Sequence, residues 1–82
     1  MEKKYHTITI TIYNRDTAFN KVGELLHEYA ESIHLRIGYP IPNNNIAVIF
    51  IIVTLTNDEL GAMSGKLGQI NSVKVKSTTL KI

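Results

Sequence analysis

Hydrophobic residues fill all but one position of the segment 46–55, which reads IAVIFIIVTL. Most of these residues are β-branched or aromatic, a composition that favours a β-strand over a helix. A strand with one face in water alternates apolar and polar residues, and this segment does not alternate. We therefore predict a central strand that begins at residue 45 or 46, ends at residue 56 and needs cover on both faces.

The segment 5–13 alternates with a period of two and predicts the first strand. Its isoleucines point to one face and its threonines to the other: Ile8, Ile10 and Ile12 against Thr7, Thr9 and Thr11. A helix over about residues 15–31 follows, with Asn14 as the expected cap and Asp16 in the first turn. Its apolar residues recur at spacings of three and four: Ala18, Val22, Leu25, Leu26, Tyr29 and Ile33.

The segment 33–39, IHLRIGY, alternates again and predicts the second strand. One face carries Ile33, Leu35, Ile37 and Tyr39, and the other, which we expect to be the outer face, carries His34, Arg36 and Gly38. Pro40, Pro42 and the three asparagines after them predict a turn, so this strand and the central strand should form a hairpin.

A second helix is expected after Thr56 or Asn57, either of which can cap it. Three glycines, Gly61, Gly65 and Gly68, form one bare stripe along it. Each costs about 1 kcal/mol of helix propensity, so we expect a close approach at the stripe. Two interpretations stay open: tight packing inside the domain, or a backbone-lined surface for a ligand or a second subunit.

The last strand, 73–80, starts with valines at odd positions and lysines at even positions. Leu80 and Ile82 then place apolar residues at even positions, on the side of the lysines, which predicts a bulge or bend near residues 77–79.

The order strand, helix, strand, strand, helix, strand predicts an α+β, ferredoxin-like βαββαβ fold in a single domain, 1–82. Its four-stranded, mostly antiparallel sheet has both helices on one face. The right-handed crossover rule places strands one and three in the centre.

Two helices cover only one face of such a sheet. The other face would expose alternate residues of the central strand together with the threonine ladder of Thr7, Thr9 and Thr11. An exposed apolar stripe marks an association site, and small domains without disulfides often gain stability by associating. We therefore predict a homo-oligomer, a dimer or a tetramer, built from an isologous pair through sheet-to-sheet or edge-strand contact.

Composition narrows the classes of function. The formal charge of +2 comes from scattered lysines without a basic stripe, so direct nucleic-acid binding is not expected. The amino-terminal segment lacks an apolar signal region, which predicts a cytoplasmic protein without membrane contact. The chain has no cysteine and neither a G-x-S-x-G nor an H-E-x-x-H motif, and Gly65-Lys66 lacks the spacing of a phosphate loop. We predict a protein that is not an enzyme and uses no cofactor, and no histidine spacing demands a metal.

Two segments carry a family resemblance: LRIGYP, Leu35 to Pro40, and SGKLGQI, Ser64 to Ile70. With the sequence around them they are similar, over nearly the whole chain, to small bacterial ACT-like proteins described as iron-only hydrogenase system regulators. The resemblance implies a ferredoxin-like, ACT-type fold, similar to the regulatory domain of nickel-responsive repressors. It also implies a ligand-sensing or regulatory role.

The chain departs from these relatives at two places. ACT domains that bind amino acids carry a glycine in the first strand-to-helix turn, which here reads NRDTAF, and the nickel-responsive domains use a cysteine with clustered histidines. The candidate ligand-binding residues are Asn14, Arg15, Asp16, Thr17, His34 and Arg36, although a pair such as the last two is more often a polar contact between subunits. The candidate interface residues are Thr7, Thr9, Thr11, Gly61 and Gly65. The alternative function is an oligomer that binds no ligand and serves a protein partner. A further alternative is a metal sensor with histidines at a subunit interface, since imidazole suits nickel, zinc and copper.

Overall fold

Four strands and two helices make up the chain in the computed structural model, which describes residues 2–82. They are β1 (Lys4–Ile12), α1 (Arg15–Glu28), β2 (Ile33–Pro40), β3 (Ala47–Leu55), α2 (Asn57–Gly68) and β4 (Val73–Thr79). A short 3₁₀ turn, Ala30–Ser32, links α1 to β2. The predicted order of elements is confirmed, although α1 ends three residues earlier than predicted because the N–H of Tyr29 turns back to the Leu26 carbonyl at 3.0 Å.

The strands form one antiparallel sheet in the order β2-β3-β1-β4. Strands one and three are central, as the crossover rule predicts. Ile10 of β1 lies opposite Ile49 of β3 on one side and opposite Val75 of β4 on the other. The α+β, ferredoxin-like βαββαβ fold is confirmed.

The core lies between the sheet and the two helices. Alternate residues of the central strands are buried against residues of α1 and α2: Ile8, Ile10, Ile12, Ile49, Ile51, Val53 and Leu55 against Ala18, Val22, Leu26, Met63 and Leu67. His6 continues this row and is fully buried. Its Nε2 donates to the Leu55 carbonyl and its Nδ1 accepts from the Thr79 hydroxyl, both at 2.9 Å. Both ring nitrogens of His6 are therefore used within the fold.

The second helix begins with a capping box. The Thr56 hydroxyl accepts from the N–H of Glu59 at 3.1 Å, and the Glu59 carboxylate accepts from the N–H of Thr56 at 2.8 Å. The hydrogen bond from the Thr56 N–H is the main reason why the pKa of the Glu59 carboxyl lies below its ordinary value. Desolvation raises this pKa, whereas the Thr56 hydroxyl and the charge of Lys3 lower it further. Thr56 rather than Asn57 is therefore the cap.

The predicted bulge near residues 77–79 is wrong. β4 pairs with β1 without interruption up to Thr79, which lies opposite His6, and the N–H of Leu80 still donates to the Tyr5 carbonyl at 2.9 Å. Leu80 and Ile82 lie beyond the last strand residue, so their change of parity requires no irregularity within β4. The bulge occurs instead in β2, between Ile33 and Leu35.

This bulge reverses the predicted faces of β2 after Ile33. Arg36 and Gly38 pair with the core residues Ile51 and Ile49, so they lie on the helix side of the sheet. Leu35, Ile37 and Tyr39 pair with Ile52, Phe50 and Val48, so they lie on the side without helices. The prediction that Arg36 shares the outer face with His34 is wrong, because the bulged residue absorbs one step of the alternation.

Candidate functional site

The turn between β1 and α1 is tied to the end of the β2–β3 hairpin by Asn45. The Asn45 amide donates to the Asn14 side-chain oxygen at 2.9 Å and to the Asp16 carboxylate at 3.3 Å. The Asn45 carbonyl accepts from the N–H of Arg15 at 3.0 Å. Asn14 is the N-cap residue, as predicted, but its side chain makes no capping hydrogen bond. The polar groups of this turn thus hold two loops together.

A cavity of about 230 Å³ opens beside this turn, between α1 and the β2–β3 hairpin. We call it the turn pocket, and it is lined by Arg15, Phe19, Gly38, Tyr39, Pro40, Ala47, Val48 and Ile49. Gly38 and Ile49 form an opposed pair on the helix side of the sheet. A Cβ atom at Gly38 would meet no atom within 4 Å, so the pocket exists partly because residue 38 has no side chain.

Among the residues that the structure describes, Arg15 is the one charged residue that lines the turn pocket. Its Nε atom is buried and has no hydrogen-bond partner among the described residues. A buried donor without a partner costs free energy, since it has lost water and gained nothing in exchange. Arg15 therefore places a charged side chain with a buried, unpaired Nε at the wall of the turn pocket.

Of the other predicted ligand residues, Thr17 belongs to the same turn, whereas His34 and Arg36 lie elsewhere. Thr17 is exposed, and its hydroxyl lies 3.4 Å from the Asn14 carbonyl. Arg36 extends over α1, where its guanidinium lies 4.0 Å from a Cβ built on Gly23. His34 hydrogen bonds through Nε2 to the Thr54 hydroxyl on the opposite side of the sheet. The structure brings Asn14, Arg15, Asp16 and Thr17 together at the turn, and it separates them from His34 and Arg36.

The side of the sheet without helices, which we call the open face, is rich in apolar side chains. It includes Thr7, Thr9 and Thr11 of β1, Leu35, Ile37 and Tyr39 of β2, Val48, Phe50, Ile52 and Thr54 of β3, and Lys74 and Lys76 of β4. Leu35, Ile37 and Tyr39 are 40%, 54% and 60% exposed. The predicted exposure of alternate β3 residues and of the threonine ladder agrees with this arrangement, and the β2 residues make the apolar area wider than predicted.

His34 lies at one end of the open face. Besides its hydrogen bond to Thr54, its ring packs against Tyr5 with a centroid distance of 5.4 Å. Among the described residues, no group of three or more His, Cys, Asp or Glu side chains is placed to hold a metal ion.

The glycine stripe of α2 faces away from the fold. A Cβ at Gly61, Gly65 or Gly68 would meet nothing within 4 Å, and all three residues are exposed. The interpretation that these glycines allow tight packing inside the domain is therefore wrong. Their role in a surface for a ligand or second subunit stays a prediction.

Sequence reasoning missed Phe19 and the exposed side chains of β2. Phe19 lies next to the buried stripe of α1 and is 43% exposed at the turn pocket. A large aromatic residue just outside an otherwise regular apolar stripe is the signal that could have revealed it. The faces of β2 gave no such signal, because alternation alone does not reveal a bulge.

Comparison with known proteins places the chain in a family. Residues 4–77 match the family described as "TM1266-like: Iron-only hydrogenase system regulator, putative". The chain belongs to this family. The structure of the uncharacterized protein TM1266 from Thermotoga maritima is 48% identical, has a TM-score of 0.93, and matches over 98% of this chain and 100% of that one. The family's description supports a regulatory module.

Two more distant structures support the fold alone. The crystal structure of the ACT domain from GTP pyrophosphokinase of Chlorobium tepidum has a TM-score of 0.78 at 15% identity, over 93% of this chain and 99% of that one. An unknown protein from Galdieria sulphuraria has a TM-score of 0.65 at 8% identity, over 99% of this chain and 47% of that one. These likenesses establish the chain as ACT-like in fold. No curated protein matches it.

The described part of the chain, residues 2–82, contains no helix that is long and apolar enough to cross a bilayer.

Proposed function

We propose that this protein is a non-catalytic regulatory module that works as a homo-oligomer and senses a small ligand. The observation that carries the proposal is the open face. Leu35, Ile37 and Tyr39 leave about half of their surfaces in water directly beside the half-buried Val48, Phe50 and Ile52. A contiguous apolar area of this kind marks an interaction surface.

A second copy of the chain is the proposed occupant of the open face. Apolar and threonine side chains fill most of it, and its two charged residues, Lys74 and Lys76, lie together on the outer strand β4. An isologous pair can therefore place the apolar β2–β3 half of each subunit against its partner while the lysines stay at the rim, where charge is tolerated. The exposed glycines of α2 offer a second contact, which would convert such a dimer into a tetramer.

The ligand is proposed to bind in the turn pocket. The walls of the pocket are mostly apolar, and the Arg15 side chain adds one charged group. Small-molecule sites usually combine apolar walls with a few polar groups. Tyr39 and Val48 also belong to the open face, so the same strand segments line the pocket and the proposed interface. Ligand binding and association of subunits can therefore influence each other through these strand segments.

The alternative function is an oligomer that binds no ligand and serves a protein partner. The observation that favours it is that Asn14, Asp16 and Asn45 are already hydrogen bonded to one another, which leaves few polar groups at the turn for a ligand.

Native mass spectrometry of the purified protein, beside its Gly38→Val variant, tests the proposal and separates the two functions. Valine at residue 38 should enter the turn pocket without a clash. If the protein is a ligand-sensing oligomer, the parent should give a multiple of the 9.2 kDa chain mass plus a reproducible excess mass. The Gly38→Val variant should lack that excess mass. An oligomer without excess mass in either protein favours the alternative. A monomer contradicts both.

A further inference from the structure

The outer edge of β4 carries backbone groups that have no strand partner. β4 is the last strand in the order β2-β3-β1-β4, so among residues 2–82 it pairs with β1 alone. Its seven residues, Val73–Thr79, contain neither proline nor glycine and pair with β1 without interruption. The other edge strand, β2, is bulged and ends at Pro40. A regular edge strand such as β4 presents a row of N–H and C=O groups to which an extended segment of another protein can add as a strand.

The hydrogen bonds at the two ends of β4 determine which of its residues point their backbone groups outward. The N–H of Leu80 donates to the Tyr5 carbonyl at 2.9 Å, and the Ser72 carbonyl accepts from the N–H of Tyr13 at 2.7 Å. In an antiparallel ladder such bonded residues alternate with residues whose N–H and C=O groups point away from the partner strand. The outward residues of β4 are therefore the odd-numbered ones: Val73, Val75, Ser77 and Thr79.

Three of these N–H groups are open to an added strand. The N–H of Val73 already donates to the Ile70 carbonyl at 3.2 Å. The N–H groups of Val75, Ser77 and Thr79 bond to no backbone group within residues 2–82. An added strand can therefore bond to three successive outward residues.

Lys74 and Lys76 determine the charge that such a strand needs. Both side chains are exposed on the open-face side of β4. An added antiparallel strand would meet them at non-hydrogen-bonded positions, where opposed Cα atoms are only about 4.5 Å apart and side chains are closest. Opposite charges directly across a strand pair stabilise it, and like charges destabilise it. The complement is a pair of acidic side chains two positions apart, with an apolar residue between them opposite the half-buried Val75.

Positive charge continues past the end of β4. A cleft of about 760 Å³ between the chain ends is lined by Lys3, Lys4 and Lys81, with Glu2 as the one acidic residue among its described lining residues. With the two lysines of β4, these lysines make five of the nine Lys and Arg residues of the chain. The field around the outer edge of β4 therefore attracts an acidic segment before it docks.

A second copy of the chain does not meet these requirements. If β4 paired with β4 of another copy, the lysines of both strands would lie on one face and repel each other. No two acidic residues of the 82-residue sequence are two positions apart, so these residues contain no matching segment. Lysines on an edge strand thus discourage pairing between copies while they favour an acidic strand. The occupant that matches the edge is a segment of a different protein.

We propose that the outer edge of β4 binds an extended acidic segment of a partner protein, which adds to the sheet as an antiparallel fifth strand. The segment carries Glu or Asp opposite Lys74 and Lys76 and an apolar residue opposite Val75. This surface does not involve the turn pocket, and it lies beside the apolar β2–β3 half of the open face rather than within it. It gives the protein a contact with a target in addition to the proposed self-association.

Titration of the ¹⁵N-labelled protein with short peptides, followed by amide chemical shifts, tests the proposal. The probe is TEVEVET with blocked ends, which has glutamate at every second position. One control, TQVQVQT, keeps the pattern without the charge. The other, EETVVTE, has the composition of the probe, but no two of its glutamates are two positions apart. We expect saturable shifts along β4 with the probe and at least about fivefold weaker binding of either control.

Amide hydrogen exchange then distinguishes strand addition from attraction of an anion to lysines. At saturating TEVEVET, exchange should slow at least about tenfold at Val75, Ser77 and Thr79, because their N–H groups gain acceptors. Exchange at Lys74 and Lys76 should change little, because their N–H groups already bond to β1.

Three variants make the test specific. Lys74→Glu combined with Lys76→Glu should lose binding of TEVEVET and gain binding of TKVKVKT. Lys21→Glu combined with Lys66→Glu is the matched control, since it makes the same change of charge on α1 and α2, and it should bind TEVEVET within about twofold of the parent. Ser77→Pro removes an outward N–H while it keeps both lysines, and it should weaken binding at least about fivefold. The spectrum of each variant without peptide verifies that it is folded.

The proposal is overturned if TEVEVET gives no saturable shifts, if either control peptide binds equally well, or if exchange slows equally at odd and even residues of β4. Retained binding by the charge-reversed β4 variant would overturn it too. A ten-nucleotide oligothymidylate is the polyanion control, and equal shifts along β4 with it would assign the edge to nucleic acid instead. None of these results depends on the open face or on the turn pocket, so each proposal can fail without the other.

Discussion

His34 and Arg36 are two residues apart in β2, yet they lie on opposite sides of the sheet. His34 hydrogen bonds to Thr54 on the open face, whereas Arg36 pairs with the core residue Ile51 and extends over Gly23 of α1. The bulge between Ile33 and Leu35 separates them. The two side chains therefore belong to different surfaces, and they cannot together bind one ligand within a subunit.

This separation predicts different effects of two substitutions on association. His34→Ala removes the contacts to Thr54 and Tyr5 at the end of the open face, so it should weaken self-association several-fold. Arg36→Ala should leave self-association unchanged because its side chain lies on the helix side. Sedimentation equilibrium of the two variants checks this. Equal weakening by both would show that the interface lies at the β2 edge rather than on the open face.

The glycine stripe predicts a gain in stability. Gly61 and Gly65 lie inside α2 with open space around them, so alanine at either position should raise the free energy of unfolding by about 1 kcal/mol through helix propensity. Urea denaturation at a fixed protein concentration measures the change. As a control, the oligomeric state of each variant is measured, and each should still form at least the dimer through the open face. Loss of the dimer in Gly65→Ala would instead make the stripe the main interface.

The capping box predicts a loss of stability and a pH dependence. Thr56→Ala should lower the free energy of unfolding by about 1 kcal/mol at neutral pH, because the N–H of Glu59 loses its acceptor. The lowered pKa of Glu59 means that its contribution is present above the ordinary value of 4.5 and is lost as the pH falls through the lower folded value.

Urea denaturation between neutral pH and pH 3 checks the sign of this effect. Replacement of the carboxylate in Glu59→Gln should remove part of the loss of stability seen on acidification. Asp58→Gln is the matched control, since Asp58 lies in the same first turn and is not part of the box. A pH dependence that is unchanged in Glu59→Gln would contradict the assignment.

Periodicity was sufficient to predict the fold because each element has one strong pattern. The threonine–isoleucine alternation of β1 and the almost continuous apolar run of β3 predict a central pair of strands, and the structure has that pair. The faces of β2 were not predictable. A bulge shifts the alternation by one residue and so exchanges the two faces after it. The segment 33–39 carries its apolar residues at odd positions, and in an edge strand this set can lie on either side of the sheet.

The candidate site was predictable only in part. Arg15 was marked by its place in the strand-to-helix turn, and the structure adds that its Nε is buried and unpaired. The turn pocket itself depends on Phe19, Gly38 and Ala47, which are far apart in the sequence and meet only when the β2–β3 hairpin packs beside α1. No local pattern encodes such a meeting. The three asparagines predicted a turn, but not that Asn45 would use the polar groups of Asn14 and Asp16.

The central claim is that the open face joins copies of this chain, and sedimentation velocity of the parent and of Phe50→Lys tests it most directly. Phe50 lies on the central strand β3, between Thr9 and Ile37, and at an isologous interface the added charge occurs twice. Ala62→Lys adds the same charge on the exposed side of α2 and serves as the control. We expect an oligomer for the parent and for Ala62→Lys, and a folded monomer for Phe50→Lys. A parent protein that sediments as a 9.2 kDa monomer at every concentration, or a Phe50→Lys variant that associates as the parent does, would contradict the account.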